Sequence, residues 1–242
     1  MEYYRSPYRT RNAFSLFVRQ IPPGTRWILI ACVVVFLLQT IARYADPGVF
    51  ALMISGLGLT PALFVRGWIF QAVTYMFLHG DLGHIGFNML SFWMFGSEME
   101  RTWGTRRFLT YYTICGVGAA LTTVAFDPFS PQPTIGASGA ILGVLLAYGM
   151  TFPDRTILFN FFIPMRARTF IILLIGMQVL FFHSYMASGI AVVAHLGGML
   201  FGYLYLKKVW RVRALAGEIR WRLRRRRFRV VGRKEHERFP FN

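Results

Sequence analysis

Two side chains able to act as nucleophile and base lie in segments that are otherwise almost wholly apolar. Ser138 sits in Gly136-Ala137-Ser138-Gly139, and His195 in Ala194-His195-Leu196-Gly197-Gly198. A serine hydroxyl is a weak nucleophile until a neighbouring base takes its proton, and a neutral imidazole does this well. Ionisable groups at bilayer depth are costly, so finding them there marks a functional site by default. If Ser138 opens a helix, the first backbone N–H groups and the positive end of the dipole lie beside it, ready to hold an oxyanion. His84 and Asn88 are four residues apart, share a helical face, and can both donate to the same oxyanion. Each residue also has a plainer reading. Ser138 would then be a helix cap, His195 a hydrogen-bonded structural residue, and His84 with Asn88 an interhelical pair. No carboxylate falls in the middle of an apolar segment, since Glu98 and Glu100 lie at an end and Asp127 in a loop. A Ser-His dyad is therefore the economical reading.

The segments that must position these residues follow from composition. The chain has 242 residues, 55% hydrophobic and 15% charged, against about 25% charged in a soluble domain. Six apolar segments, over 27–42, 84–99, 108–124, 135–151, 169–184 and 188–206, predict an all-α polytopic membrane protein with six transmembrane helices. Arg5, Arg9, Arg11, Arg19 and Arg26 precede the first segment. Arg101, Arg106 and Arg107 follow the second, Arg155, Arg166 and Arg168 follow the fourth, and fourteen lysines and arginines follow the sixth. The opposite loops carry only Arg43 and Arg66, which puts both termini in the cytoplasm. Cys32 and Cys115 both fall within apolar segments and form no Cys-x-x-Cys, so neither a disulfide nor a zinc cluster is expected. No small-residue cleavage site follows the first apolar run, which reads as a retained anchor rather than a signal peptide.

The chain divides into a polar, basic segment over 1–26, a membrane domain over 27–206 and a basic tail over 207–242. The long loop over 43–83 is too apolar to float in water and is expected to lie in the interface as short helices, with Trp68, Tyr75 and His79 near headgroup level. Asp127-Pro128, Pro131 and Pro133 block regular helix before the fourth segment. In the tail, Val212, Leu215, Ala216, Ile219 and Leu223 recur at helical spacing among arginines. This reads as an amphipathic helix on anionic inner-leaflet lipids. Nucleic acid is the rival partner for so basic a tail, and headgroup phosphates beside a tethered tail make it the weaker one.

Helical rise brings the polar groups to one level. A helix of ~14 residues that begins at Ser138 and ends near Phe152-Pro153-Asp154 covers ~21 Å of a ~30 Å hydrocarbon core, so the serine lies ~10 Å below the outer surface. The proline-rich loop must dip inward to meet it, which is tolerated only inside protein or beside a wet cavity. His195 lies ~10 Å below the same surface, and His84 and Asn88 bracket that level. Gly139 and Gly143 beside the serine, and Gly198 and Gly202 on the face of the histidine, form two small-residue stripes. Such stripes let two helices pack closely.

In order and in separate segments, Phe77-Leu78-His79, His84-xxx-Asn88, Gly96 with Glu100-Arg101 and Gly104, Gly136-Ala137-Ser138-Gly139, and His195-xx-Gly198-xxx-Gly202 resemble the rhomboid family of intramembrane serine proteases over roughly residues 60–206. The resemblance implies a six-helix core, a catalytic dyad of Ser138 and His195, and an oxyanion hole from the Ser138 N–H, His84 and Asn88. It also implies single-span membrane proteins as substrates, cut near helix-weakening residues at the outer edge of their transmembrane segment, and no cofactor or metal. Compact bacterial members of the family have similarly short termini, which implies a bacterial inner-membrane location. Two positions depart from the family pattern. Phe70-Gln71 stands where Trp-Arg is common, which questions arginine-mediated anchoring of the loop. Leu142 stands where an aromatic ring commonly supports the histidine, which implies a less rigid imidazole. Two other functions compete: an inactive relative that binds transmembrane helices for quality control or trafficking, and a transporter or metal carrier built on His79, His84 and His195.

Overall fold

The structure is a computed structural model, and it describes residues 20–159, 162–184, 191–208 and Trp221. The chain forms two compact units, Met1–Tyr205 and Leu206–Asn242, and the first of them carries Ser138, His195, His84 and Asn88. Most of the expected basic tail, and most of the segment over 1–26, lie outside the described residues.

Helix α1 (Pro23–Ala45) opens with proline at its first position, where the missing N–H costs nothing. Trp27, Ile30, Val34, Leu37, Leu38 and Ile41 are exposed at helical spacing, an apolar face turned away from the protein. The opposite side is tied down by polar contacts. The Glu100 carboxylate, itself buried, accepts from Gly24 N at 2.8 Å, Thr25 N at 2.7 Å and Thr25 Oγ1 at 2.8 Å. A negative charge thus sits on the positive end of α1 and satisfies two of its orphan donors. Near the other end, Gln39 Nε2 donates to His79 O at 3.2 Å, and His79 N donates back to Gln39 Oε1 at 3.1 Å.

The loop over 43–83 folds into α2 (Pro47–Leu57), α3 (Pro61–Phe64), α4 (Gln71–Thr74) and a 3₁₀ turn over Tyr75–Phe77. Asp46 caps α2 by accepting from Gly48 N and Val49 N. Gln71 holds the loop together from the inside. It is fully buried; its Oε1 accepts from Thr60 N at 3.1 Å, and its Nε2 donates to Ser55 O and Gly56 O, each at 3.1 Å. The anchoring that the missing arginine put in question is thus supplied by an amide. His79 lies near this loop's end, in the short stretch before the helix that starts at Leu82. Its side chain is buried within the protein, and its ring meets that of His84 edge-on at 5.1 Å.

The second apolar segment forms one continuous rod. Helix α5 (Leu82–Ser91) runs through a π turn over Phe92–Gly96 into α6 (Ser97–Trp103). Gly104, at φ 79°, ends the rod, and α7 (Thr105–Phe126) follows. The prolines keep 127–137 out of helix, and Thr134 there pairs with Leu59 in an isolated antiparallel bridge. Helix α8 (Ser138–Thr151) is the centre of the unit, with every residue from Gly139 to Gly149 buried. It starts at Ser138, not at 135 as the apolar segment indicated. Gly136 is the reason: at φ 121° it turns the chain before the helix, and its N–H donates to Tyr75 O at 2.9 Å.

A two-stranded antiparallel hairpin comes next, β1 (Thr156–Phe159) with β2 (Ile163–Arg166). The described residues are otherwise mostly helical, in keeping with the all-α expectation. Helix α9 (Ala167–Ser184) and α10 (191–208) complete the described residues. Helices therefore stand on all six apolar segments, with 188–190 outside the described residues. Only Pro23–Ala45 and Thr105–Phe126, among the described residues, are both long and apolar enough by themselves to cross a membrane. Pro47–Leu57, Ser138–Thr151 and Ala167–Leu180 are shorter apolar helices.

Replacing Glu100 by alanine removes the carboxylate that caps α1 and accepts from Thr105 Oγ1. Charge-assisted bonds of this kind and helix caps together set the expected loss at about 2–4 kcal/mol. Thermal unfolding of Glu100→Ala in detergent micelles measures it.

Candidate active site

The start of α8 and the middle of α10 bring the two reactive side chains into contact. Ser138 Oγ lies 2.7 Å from His195 Nε2, a hydrogen-bond length well suited to proton transfer. The approach depends on glycine. A Cβ on Gly198 would occupy the space of the Gly139 carbonyl, and one on Gly139 would stand 2.7 Å from Ala119 Cβ and 3.1 Å from Ala194 O. A Cβ on Gly143 would meet Cys115 Sγ at 2.5 Å and Gly198 O at 3.1 Å. Of the two stripes expected from the sequence, Gly139, Gly143 and Gly198 lie where α8 and α10 touch, whereas Gly202 packs against Tyr111 and Cys115 of α7.

Helix α8 begins at the serine, so Ser138 N has no carbonyl one turn back to bond within the helix. The first intrahelical bond comes from Ile141 N to Ala137 O at 3.0 Å. Tyr111 Oη pins the helix laterally by donating to Gly143 O at 2.7 Å. On the preceding loop, Gly136 brings the backbone against His84: a Cβ there would stand 2.7 Å from His84 Nε2 and 3.9 Å from Asn88 Nδ2. His84 and Asn88 therefore face the backbone two residues before the serine, as their shared helical face predicted. Gly80 N–H donates to His84 Nδ1 at 3.3 Å, which puts the ring proton on Nε2. Asn88 Nδ2 is buried without a hydrogen-bond partner. A buried donor left unsatisfied is costly unless something else occupies it. Of these two donors, His84 lines the cavity beside Ser138, and Asn88 Nδ2 faces Gly136.

A cavity of ≈ 210 Å³ opens beside the pair, lined by Tyr75, His84, Gly136, Ser138, Ala191 and His195 among others. Water at ~30 Å³ per molecule fits it several times over. No carboxylate lines this cavity. Among the described residues, no three of His, Cys, Asp and Glu group to hold a metal ion, and His79, His84 and His195 do not converge as ligands.

One contact has no counterpart in the sequence reading. Gln178 on α9 places its Oε1 3.1 Å from His195 Nδ1. Its signal is a single amide in the apolar run Ile171–Leu180, the kind of residue that draws notice only when its partner is known.

A family model described as Rhomboid domain matches residues 66–212. The Rhomboid protease GluP of Bacillus subtilis (strain 168) is 30% identical over 142 residues, covering 59% of this chain and 26% of GluP. Rhomboid protein 1, mitochondrial, of Saccharomyces cerevisiae is 29% identical over 140 residues, covering 53% of this chain and 38% of that protein. Putative rhomboid protease YdcA of Bacillus subtilis (strain 168) is 30% identical over 196 residues, covering 81% of this chain and 92% of YdcA. The chain therefore spans less than half of the first two relatives and nearly all of the third.

Adding one methyl group tests the helix contact. Gly198→Ala forces α10 off α8 and is expected to cost about 1–3 kcal/mol by overpacking. Gly86→Ala, in a helix where a Cβ meets nothing within 4 Å, is expected to be neutral or to stabilise by up to about 1 kcal/mol. Unfolding temperatures of the two variants in the same detergent make the comparison.

Proposed function

Because the chain belongs to the rhomboid family, we propose that it is an intramembrane serine endopeptidase that hydrolyses peptide bonds in or near transmembrane segments of membrane-protein substrates. The observation that carries this reading is the 2.7 Å contact between Ser138 Oγ and His195 Nε2. Ser138 attacks the scissile carbonyl while His195 takes its proton. The tetrahedral oxyanion is held by the Ser138 N–H, His84 Nε2 and Asn88 Nδ2. His195 then gives the proton to the leaving amine, forming an acyl-enzyme on Ser138. Water entering through the cavity then attacks the acyl carbon while His195 takes its proton; His195 returns that proton to Ser138 Oγ as the acyl–oxygen bond breaks, which frees the acid product and the serine. No cofactor or metal takes part.

The setting of this chemistry is part of the proposal. The membrane domain over 27–206 spans the bilayer six times, with both termini in the cytoplasm of a bacterium and the reactive pair nearer the outer face. The charged residues favour this orientation. Glu98 with Arg155 at 2.7 Å, and Asp154 with Arg168 at 3.4 Å and Arg166 at 3.7 Å, gather at the end of α8 away from Ser138. The tail over 207–242 binds anionic inner-leaflet lipids, and substrates are single-span membrane proteins.

In proteoliposomes with a labelled transmembrane substrate, Ser138→Ala and His195→Ala are expected to lower the cleavage rate at least ~10⁴-fold. Asn88→Ala is expected to lower it about 10²–10³-fold, as loss of one oxyanion donor does elsewhere. Cleavage at the wild-type rate by Ser138→Ala would overturn the mechanism and leave the non-catalytic, helix-binding reading.

A further inference from the structure

We infer that Gln178 is the positioning residue of His195: its amide oxygen fixes the imidazole in the tautomer whose Nε2 lone pair faces Ser138. The inference rests on the protease reading above and adds a third, neutral member to the Ser-His pair.

The neutral imidazole has one N–H and one lone pair, and its partners decide which nitrogen carries which. An amide oxygen accepts and cannot donate. With Gln178 Oε1 at 3.1 Å from Nδ1, that nitrogen holds the proton. The lone pair is then on Nε2, 2.7 Å from Ser138 Oγ and able to take the hydroxyl proton. The opposite tautomer would place an N–H against the serine and could not act as base. When the proton transfers, the Oγ–H bond breaks, an Nε2–H bond forms, and the ring becomes a cation whose Nδ1–H still points at the Gln178 oxygen. The dipole of the amide stabilises that cation.

The place of this residue in the fold agrees with the role. Gln178 is half-buried, while Ile172, Leu173, Ile175, Met177, Val179 and Leu180 around it on α9 are apolar and exposed. An amide in such a helix is costly unless it finds a partner, and the imidazole is that partner. A carboxylate would bind the cation more strongly, but at this depth it would carry the cost of a desolvated charge. Among the described residues, the titratable side chains that line the cavity with His195 are those of His84 and Tyr75, neither of which is an anion. Leu142, where an aromatic support was expected, leaves the orientation of the ring to this contact from another helix.

Two variants separate the role from packing. Gln178→Met keeps length and removes the acceptor; Gln178→Glu keeps the acceptor and adds charge. Three readouts apply: kcat and KM on the transmembrane substrate across pH, the rate of Ser138 labelling by a fluorophosphonate, and the ¹⁵N ring resonances of His195 in micelles. Wild type is expected to show the Nδ1–H tautomer and Gln178→Met a mixture of both. Gln178→Met is expected to lose about 10–100-fold in kcat and in labelling rate, the size seen when an orienting partner of a functional histidine is removed. Its KM should stay within about twofold, because the substrate does not touch the amide. Gln178→Glu should restore most of kcat, with the acid limb of its pH–rate profile about one unit higher. An unchanged ring spectrum and wild-type kcat in Gln178→Met would overturn the inference. If Gln178→Met does not fold, an acid limb that stays put in Gln178→Glu overturns it instead. Failure of wild type itself to cleave or label counts against the protease reading, and the ring spectrum still decides the tautomer.

Discussion

Everything at the site depends on how near two helix backbones can come. A hydroxyl and an imidazole are short, and a 2.7 Å contact between them requires α8 and α10 to approach with no side chain between. Gly139, Gly143 and Gly198 provide that absence, and nothing larger fits at the crossing. In water, apolar burial would drive such packing. Between helices in lipid, where tails are as apolar as leucine, close van der Waals contact must do more of the work. The glycines therefore both bring the reactive groups together and hold the helices that carry them.

Around this core the fold uses a few buried polar side chains as clamps, each joining elements distant in sequence. Glu100 caps α1 from 75 and 76 residues away. Gln39 clips the backbone of His79 across 40 residues. Gln71 ties α2 to α4 through three backbone groups. Each sits where an unpaired group would be expensive, so each bond is worth more than its surface counterpart. The clamps also explain how backbone outside regular helix survives beside Ser138: residues 127–137 are held in protein contacts such as the Leu59–Thr134 bridge, not left open.

The parts legible from sequence are those with a local signature. Ser138 and His195 stand out because reactive groups are rare in apolar runs. The glycine stripes are visible as spacing, and His84 with Asn88 as a shared face. The proline block before α8 places the helix start near the serine. Long-range pairing is what stays hidden. Gln178, Gln71 and Glu100 have ordinary neighbours, and nothing in the sequence near them names the group they bind. The chain around His79 is a loop, and nothing in its spacing names Gln39 as the clamp on its backbone. The hairpin over 156–166 is illegible because four-residue strands leave too short a pattern to separate from loop. Gln71 shows the limit in the other direction. A departure from the family pattern reads as a lost anchor, whereas the amide makes three bonds in its place.

The serine precedes its histidine by 57 residues. At about 5–20 residues per second on the ribosome, Ser138 emerges several seconds before the imidazole it touches in the folded chain. A nascent chain crowded among other inserting helices therefore carries an inert alcohol. On the protease reading, the order of the chain itself delays the chemistry until α10 has been made and packed against α8.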